Sequence, residues 1–203
     1  MVQMDSINKL TNDLKNEDFL VRCDAIEALS YLPADKVYHL IVEMLDDRNY
    51  LVRCEAFDAL ANFNAYSELD VLVKQLKRER SSMVRMHAVA TIRDLMKADN
   101  CPLDLVLTLK DMFAKEESKG ALIAYNTLFY KIEKEEKYIQ NALKYIDDND
   151  YHIRHNVINL LWDVIDEKVA SQVLNEYKKR FRIEEARSVK ISLEEQIADI
   201  EKS

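Results

Sequence analysis

Apolar residues recur along this chain at helical spacing. Val37, His39, Leu40, Ile41, Met44 and Leu45 form a stretch in which the apolar members follow the i, i+3, i+4 rule of a helix and not the alternation of a strand. A second pattern, V-R-x-x-A-x-x-A-L, returns several times. Phe19-Leu20-Val21-Arg22-Cys23-Asp24-Ala25-Ile26-Glu27-Ala28-Leu29 matches Tyr50-Leu51-Val52-Arg53-Cys54-Glu55-Ala56-Phe57-Asp58-Ala59-Leu60, and Met83 to Ile92 is a third copy. A fourth follows Asp147-Asp148-Asn149-Asp150, in Tyr151-His152-Ile153-Arg154, just as Tyr50 to Arg53 follows Asp46-Asp47-Arg48-Asn49. Weaker copies start near Gly120 and Val189.

The arginine position falls at Arg22, Arg53, Arg85, Ala121, Arg154 and Lys190, giving spacings of 31, 32, 36, 33 and 36 residues. Each copy is preceded by another helical segment: Ile7 to Leu14, Val37 to Leu45, Leu69 to Leu76, Pro102 to Phe113, Lys137 to Ile146 and Val169 to Tyr177. Helix, short polar turn, helix at a fixed period is the mark of an α-solenoid. Six units, approximately 1–32, 33–65, 66–100, 101–133, 134–166 and 167–203, fill the chain as a single repeat domain. Pro33 and Pro102 are expected just inside helix starts, where a missing N–H costs nothing. One glycine and two prolines leave almost nothing to interrupt a helix.

The V-R-x-x-A-x-x-A-L helix after an Asp-containing turn resembles the short HEAT-like repeat of bacterial proteins, including the phycobilin-lyase type. The period is shorter than the usual eukaryotic HEAT repeat, and the TPR and ankyrin signatures are missing. The resemblance implies an all-α fold, a right-handed α-solenoid of about six HEAT-like helical hairpins. It also implies that the repeated arginine ties its helix to the acidic turn of an adjacent unit. Asp46-Asp47 and Asp147-Asp148 accordingly read as turn and helix-end chemistry, not as catalytic carboxylates.

On the template helix, the V, A, A and L positions converge on one face, and Ile26, Phe57, Val89, Tyr125 and Ile158 pack against neighbouring units. By the resemblance, the opposite face lines the concave surface and meets a partner. Its candidate residues are Asp24, Glu27 and Tyr31, then Glu55 and Asp58, then His87, then Ile123, Asn126 and Tyr130, and last His155, Asn156, Asn159 and Trp162. The face is acidic in its first two units, apolar and aromatic in the middle, and polar with the only tryptophan near the end. A charged helix face is ordinarily just solvated. Apolar groups on such a ridge more often mark a contact.

Lys plus Arg total 29 and Asp plus Glu 37, a net charge of −8. Such a surface repels nucleic acid and anionic membrane and attracts basic proteins or peptides. Basic residues do cluster at Lys74, Lys77, Arg78 and Arg80 and again at Lys178, Lys179, Arg180 and Arg182. A HEAT-like DNA glycosylase is therefore the enzyme alternative, and nucleic acid is the less expected partner. Cys23, Cys54 and Cys101 form no CxxC pair and suit a reducing cytoplasm. Cys23 and Cys54 lie on adjacent units, where axes about 8–10 Å apart exceed what a disulfide spans. His152 and His155 have metal-compatible spacing but no completing ligand, and His39 reads as a core histidine. No Walker, GxSxG or dinucleotide motif occurs, so no catalytic residues, cofactor or metal are expected. The start, Met1-Val2-Gln3-Met4-Asp5, has no signal-peptide pattern, and no apolar run is long enough to span a membrane. The expectation is a cytoplasmic, non-catalytic module for a basic protein or peptide. An immunity protein masking a toxin and a lyase-type adaptor or chaperone are its two narrower forms.

Overall fold

The computed structural model describes the backbone of residues 2–63, 69–96 and 101–202, with side chains from residue 6 onward. The expected unit boundaries near 65 and 100 and the side chains of the opening five residues lie outside this set. The chain divides into two compact units, Met1–Lys97 and Ala98–Ser203.

The first unit holds α1 (Val2–Asp13), α2 (Phe19–Ser30), α3 (Ala34–Glu43), α4 (Tyr50–Ala61), α5 (Leu69–Arg78) and α6 (Ser82–Leu95), with a single 3-10 turn at Met44–Asp46. The second holds α7 (Leu103–Phe113), α8 (Lys119–Glu133), α9 (Glu136–Leu143), α10 (Tyr151–Trp162), α11 (Glu167–Phe181) and α12 (Arg187–Ile200). These pair as six hairpins, and no strand occurs among the described residues. The template helices stack in a row in each unit: α4 packs on both α2 and α6, and α10 on both α8 and α12.

Local chemistry sets where the template helices start. Asp18, Asn49 and Asp150 each accept the N–H of the residue two further on, and Ser81 accepts from Val84. Pro33 and Pro102 stand one residue earlier than expected, at the caps of α3 and α7. The expected core face is buried: Ala25, Ile26 and Leu29 in α2, and Val52, Ala56, Phe57 and Leu60 in α4. His39 is exposed, not core. At 100° per residue it falls opposite the buried Val37 and Ile41.

Between successive hairpins runs an arginine ladder. Arg22 donates through Nε and Nη2 to both oxygens of Asp47, at 2.8 Å each, and its Nη1 donates to the carbonyls of Asn16 and Glu17. Arg53 does the same to Glu79 (2.8 and 2.9 Å) and to the Asp47 carbonyl. Arg154 does so to Glu184 (2.8 and 2.7 Å) and to the carbonyls of Asp148 and Asn149. Each arginine thus joins the turn before its own helix to the turn of the next hairpin. Each carboxylate also accepts a backbone N–H two residues on, at Asn49, Ser81 and Ala186. A second cross-link repeats six residues past the arginine position, where Thr91 and Gln196 donate to the carbonyls of Phe57 and Ile158 in the preceding template helix.

The fourth hairpin departs from the pattern. Leu122 N–H bonds to the Ser118 carbonyl as Arg22 N–H bonds to that of Asp18, so Leu122, not Ala121, holds the ladder position. Leucine cannot bind a carboxylate, and Lys119 Nζ meets Asp148 at 2.5 Å instead. α8 is buried nearly all round: every residue from Gly120 to Tyr130 except Leu122 is buried. It packs on α9 and α10, and Phe113, Tyr125, Phe129 and Tyr138 form a chain of ring contacts with centroids 5.4–6.2 Å apart. This corrects the expected ridge at Ile123, Asn126 and Tyr130, which are core. Tyr130 Oη donates to Asp166 Oδ1 at 2.7 Å, and Asp166 caps α11 through the Lys168 N–H. Asn126 Nδ2 donates to the Leu122 carbonyl one turn back.

Two stability outcomes follow. Arg154 and Arg180 hold the Glu184 carboxyl down to about 2, from an ordinary 4.5. A depressed carboxyl stabilises the fold fully above its unfolded value and loses that contribution as the pH falls towards its folded one. Glu184→Gln, which leaves Arg154 buried opposite a neutral group, is expected to cost about 3 kcal/mol in urea unfolding at neutral pH. The same variant flattens the loss of stability between pH 4.5 and 2. Tyr130→Phe is expected to cost about 1–2 kcal/mol through the Asp166 bond. An equally stable variant that loses a binding partner would return Tyr130 to the surface role.

Candidate functional site

The ladder and core use fixed positions of each template helix, and the positions two and five past the arginine point outward. In the first unit these are Asp24 and Glu27 on α2, Glu55 and Asp58 on α4, and His87 on α6. Asp24, Glu27 and Asp58 are exposed, Glu55 and His87 half-buried, and Tyr31 at the end of α2 is 77% exposed. His87 Nδ1 lies 2.8 and 2.9 Å from the two Asp58 oxygens. Side-by-side packing of α2, α4 and α6 makes these residues one face.

That face is electrostatically strained. Burial pushes the Glu55 carboxyl up, and the negative charges of Asp58, Glu27 and Asp24 push the same way, against the opposing pull of His87. Beneath it, burial foremost raises the Cys54 thiol to about 12, with Asp58 adding to the rise, and Cys23 moves in the same direction. Such thiols stay protonated and poorly nucleophilic at neutral pH. Cys23, Cys54 and Cys101 take part in no disulfide.

In the second unit the outward residues of α10 are His155 and Asn156, half-buried, and Asn159 and Trp162, exposed. His155 Nε2 is 3.1 Å from Ser192 Oγ on α12. Asn159 and Trp162 border a pocket of about 500 Å³ completed by Glu195, Gln196, Ala198, Asp199 and Lys202. The α12 members were missed because the expected face stopped at the fifth hairpin. Carrying the template to Lys190 puts Glu195 at the position held by Glu27, Asp58 and Asn159, so the signal was present.

The basic clusters are partly neutralised. Arg78 pairs with Asp46, Arg180 with Asp147 and Glu184, Lys178 with Glu201 and Lys179 with Glu176. Among the described residues, no group of three or more His, Cys, Asp or Glu is arranged to hold a metal ion. No helix in this set is long and apolar enough to cross a membrane.

Comparison with known proteins gives a consistent picture. The family model for HEAT repeats matches residues 7–93. No curated protein sequence matches the chain. Among solved structures, a chain from the complex of CpcE and CpcF of phycocyanin lyase from Nostoc sp. PCC7120 is similar in fold. Its TM-score is 0.54 at 13% identity, over 96% of this chain and 94% of that one. The chain therefore carries HEAT repeats over residues 7–93 within an all-α, solenoid-like architecture of repeated hairpins.

Proposed function

We propose that this protein is a non-catalytic, cytoplasmic binding module whose acidic face on α2 and α4 engages a basic segment of another protein. The observation that carries this reading is Glu55. Its carboxylate is kept half-buried beside Asp24, Glu27 and Asp58, an arrangement that costs stability in the free protein. Stability given up at an outward-facing position is a frequent sign of function. A cationic partner relieves the repulsion, and the field of several carboxylates speeds its approach.

The similar lyase structure is of one chain bound to another, which favours the adaptor form of this reading. In the immunity form, the partner is the cationic surface of a toxin. The glycosylase alternative draws only on the basic clusters, and four of their side chains already have acidic partners.

An octa-arginine or octa-lysine peptide titrated into the protein is expected to bind, with affinity falling as salt rises. Asp24→Lys combined with Asp58→Lys should abolish that binding. Unchanged binding in the double variant overturns the acidic-face reading, and tight, salt-sensitive binding of duplex DNA instead would favour the glycosylase.

Glu55→Gln separates function from folding. Because the folded carboxyl lies above its unfolded value, its ionised form opposes folding at neutral pH, and the variant is expected to raise Tm while weakening peptide binding. A lower Tm would show that Glu55 is there for the fold.

A further inference from the structure

We propose that the pocket between α10 and α12 receives an arginine side chain of the partner, stacked on Trp162. The inference deepens the basic-partner reading and rests on it for the origin of the arginine, although the pocket belongs to the second unit and is built from different residues. Its wall carries one aromatic ring, Trp162, 42% exposed at the end of α10. Its carboxylates, Glu195 and Asp199, are exposed on α12, one turn apart. Gln196 also lines it, and although the side chain is only 7% exposed, its Oε1 has no hydrogen-bond partner while Nε2 is spent on the Ile158 carbonyl. An unsatisfied buried acceptor costs free energy for as long as it stays unpaired.

The wall thus combines acceptors with an aromatic surface, which is the chemistry that recognises a cation. Trp162 and Asp199 also border a second, adjoining hollow of about 260 Å³ with Ile165 and Ile200, so the indole stands where two hollows meet. Arginine suits this site better than lysine. A planar guanidinium stacks on an indole and presents several N–H donors in a fixed fork, whereas an ammonium is a compact, strongly hydrated charge. The protein already holds one cation there. Lys202 Nζ lies 3.3 Å from Asp199 Oδ1, in a solvent-exposed pair worth little that an entering guanidinium displaces.

Trp162 is the chain's only tryptophan, so its fluorescence reports on the surroundings of this indole and not on the α2 and α4 face. The test titrates the intact protein with N-acetyl-arginine amide, using the lysine and leucine amides at matched ionic strength as references. A saturable change with arginine is expected, with a Kd of about millimolar order for a single side chain. Glu195→Gln with Asp199→Asn should weaken it about tenfold. Lys202→Met, which removes the internal competitor, should strengthen it, a gain that an unfolded variant cannot give. Absence of a saturable change, an equal response to lysine or leucine, or no gain in Lys202→Met overturns the proposal. Because Trp162 alone is observed, a failure of the α2 and α4 face leaves this result untouched. Failure here likewise leaves octa-arginine binding at Asp24 and Asp58 standing.

Discussion

The fold hangs on a bidentate arginine–carboxylate pair repeated from hairpin to hairpin. A guanidinium taken out of water is costly, and only a complete set of acceptors offsets the loss. Arg22 and Arg154 meet that demand, since Nε and Nη2 use both carboxylate oxygens while Nη1 uses carbonyls of the turn before their own helix. The acceptor is held just as firmly, because the N–H groups of Asn49 and Ala186 bind the same carboxylates. One interaction therefore fixes two turns against each other, and with them the register of two helices. Where leucine replaces arginine in α8, the link passes to Lys119 and Asp148, a single exposed ammonium without the fork. At that point the second unit turns to aromatic packing, with Phe129 in contact with both Phe113 and Tyr138.

Once ladder and core claim their positions, the remaining face of the template helices other than α8 is left outside the core and is free to differ. It differs by charge in the first unit and by shape in the second. Asp24, Glu27, Glu55 and Asp58 bring like charges together, and the Glu55 carboxyl is raised by its burial first and by those charges second. On α10 and α12 the same positions hold Asn159 and Glu195 and open into a pocket beside an indole. A stack built only for stability would have placed opposite charges on these neighbouring helices.

Most of this organisation was legible in the residues. The arginine row and the acidic turns read correctly as structural because the resemblance to short HEAT-like repeats implies that each arginine ties its helix to the turn of an adjacent unit. The reading failed at α8 because the template was applied as a rule of orientation. Ile123, Asn126 and Tyr130 fall on the nominal outer face, yet no charged residue occurs from Gly120 to Tyr130, and a helix uncharged on every side is a buried one. That signal outweighed the repeat alignment. The slip between Ala121 and Leu122 has a related cause: with nearly every residue of this helix buried, the apolar pattern marks no register, and only the bond from Leu122 N–H to the Ser118 carbonyl does. His39 failed for the opposite reason, since apolar neighbours in sequence are not neighbours around a helix.

On the proposed reading, the two faces divide the work of recognition. Exposed carboxylates act at long range. They raise the rate of encounter with any basic segment, and salt weakens them together, so they confer little discrimination among cations. A pocket with an aromatic wall acts only at contact, where stacking and a directed fork of donors slow dissociation and separate arginine from lysine. Neither feature is sufficient for a selective module. An acidic face without the pocket would hold any polycation, and the pocket without the face would hold an arginine too weakly to matter at cellular concentrations. Carried by one chain, they restrict the partner to a basic protein that presents an arginine free to enter beside Trp162.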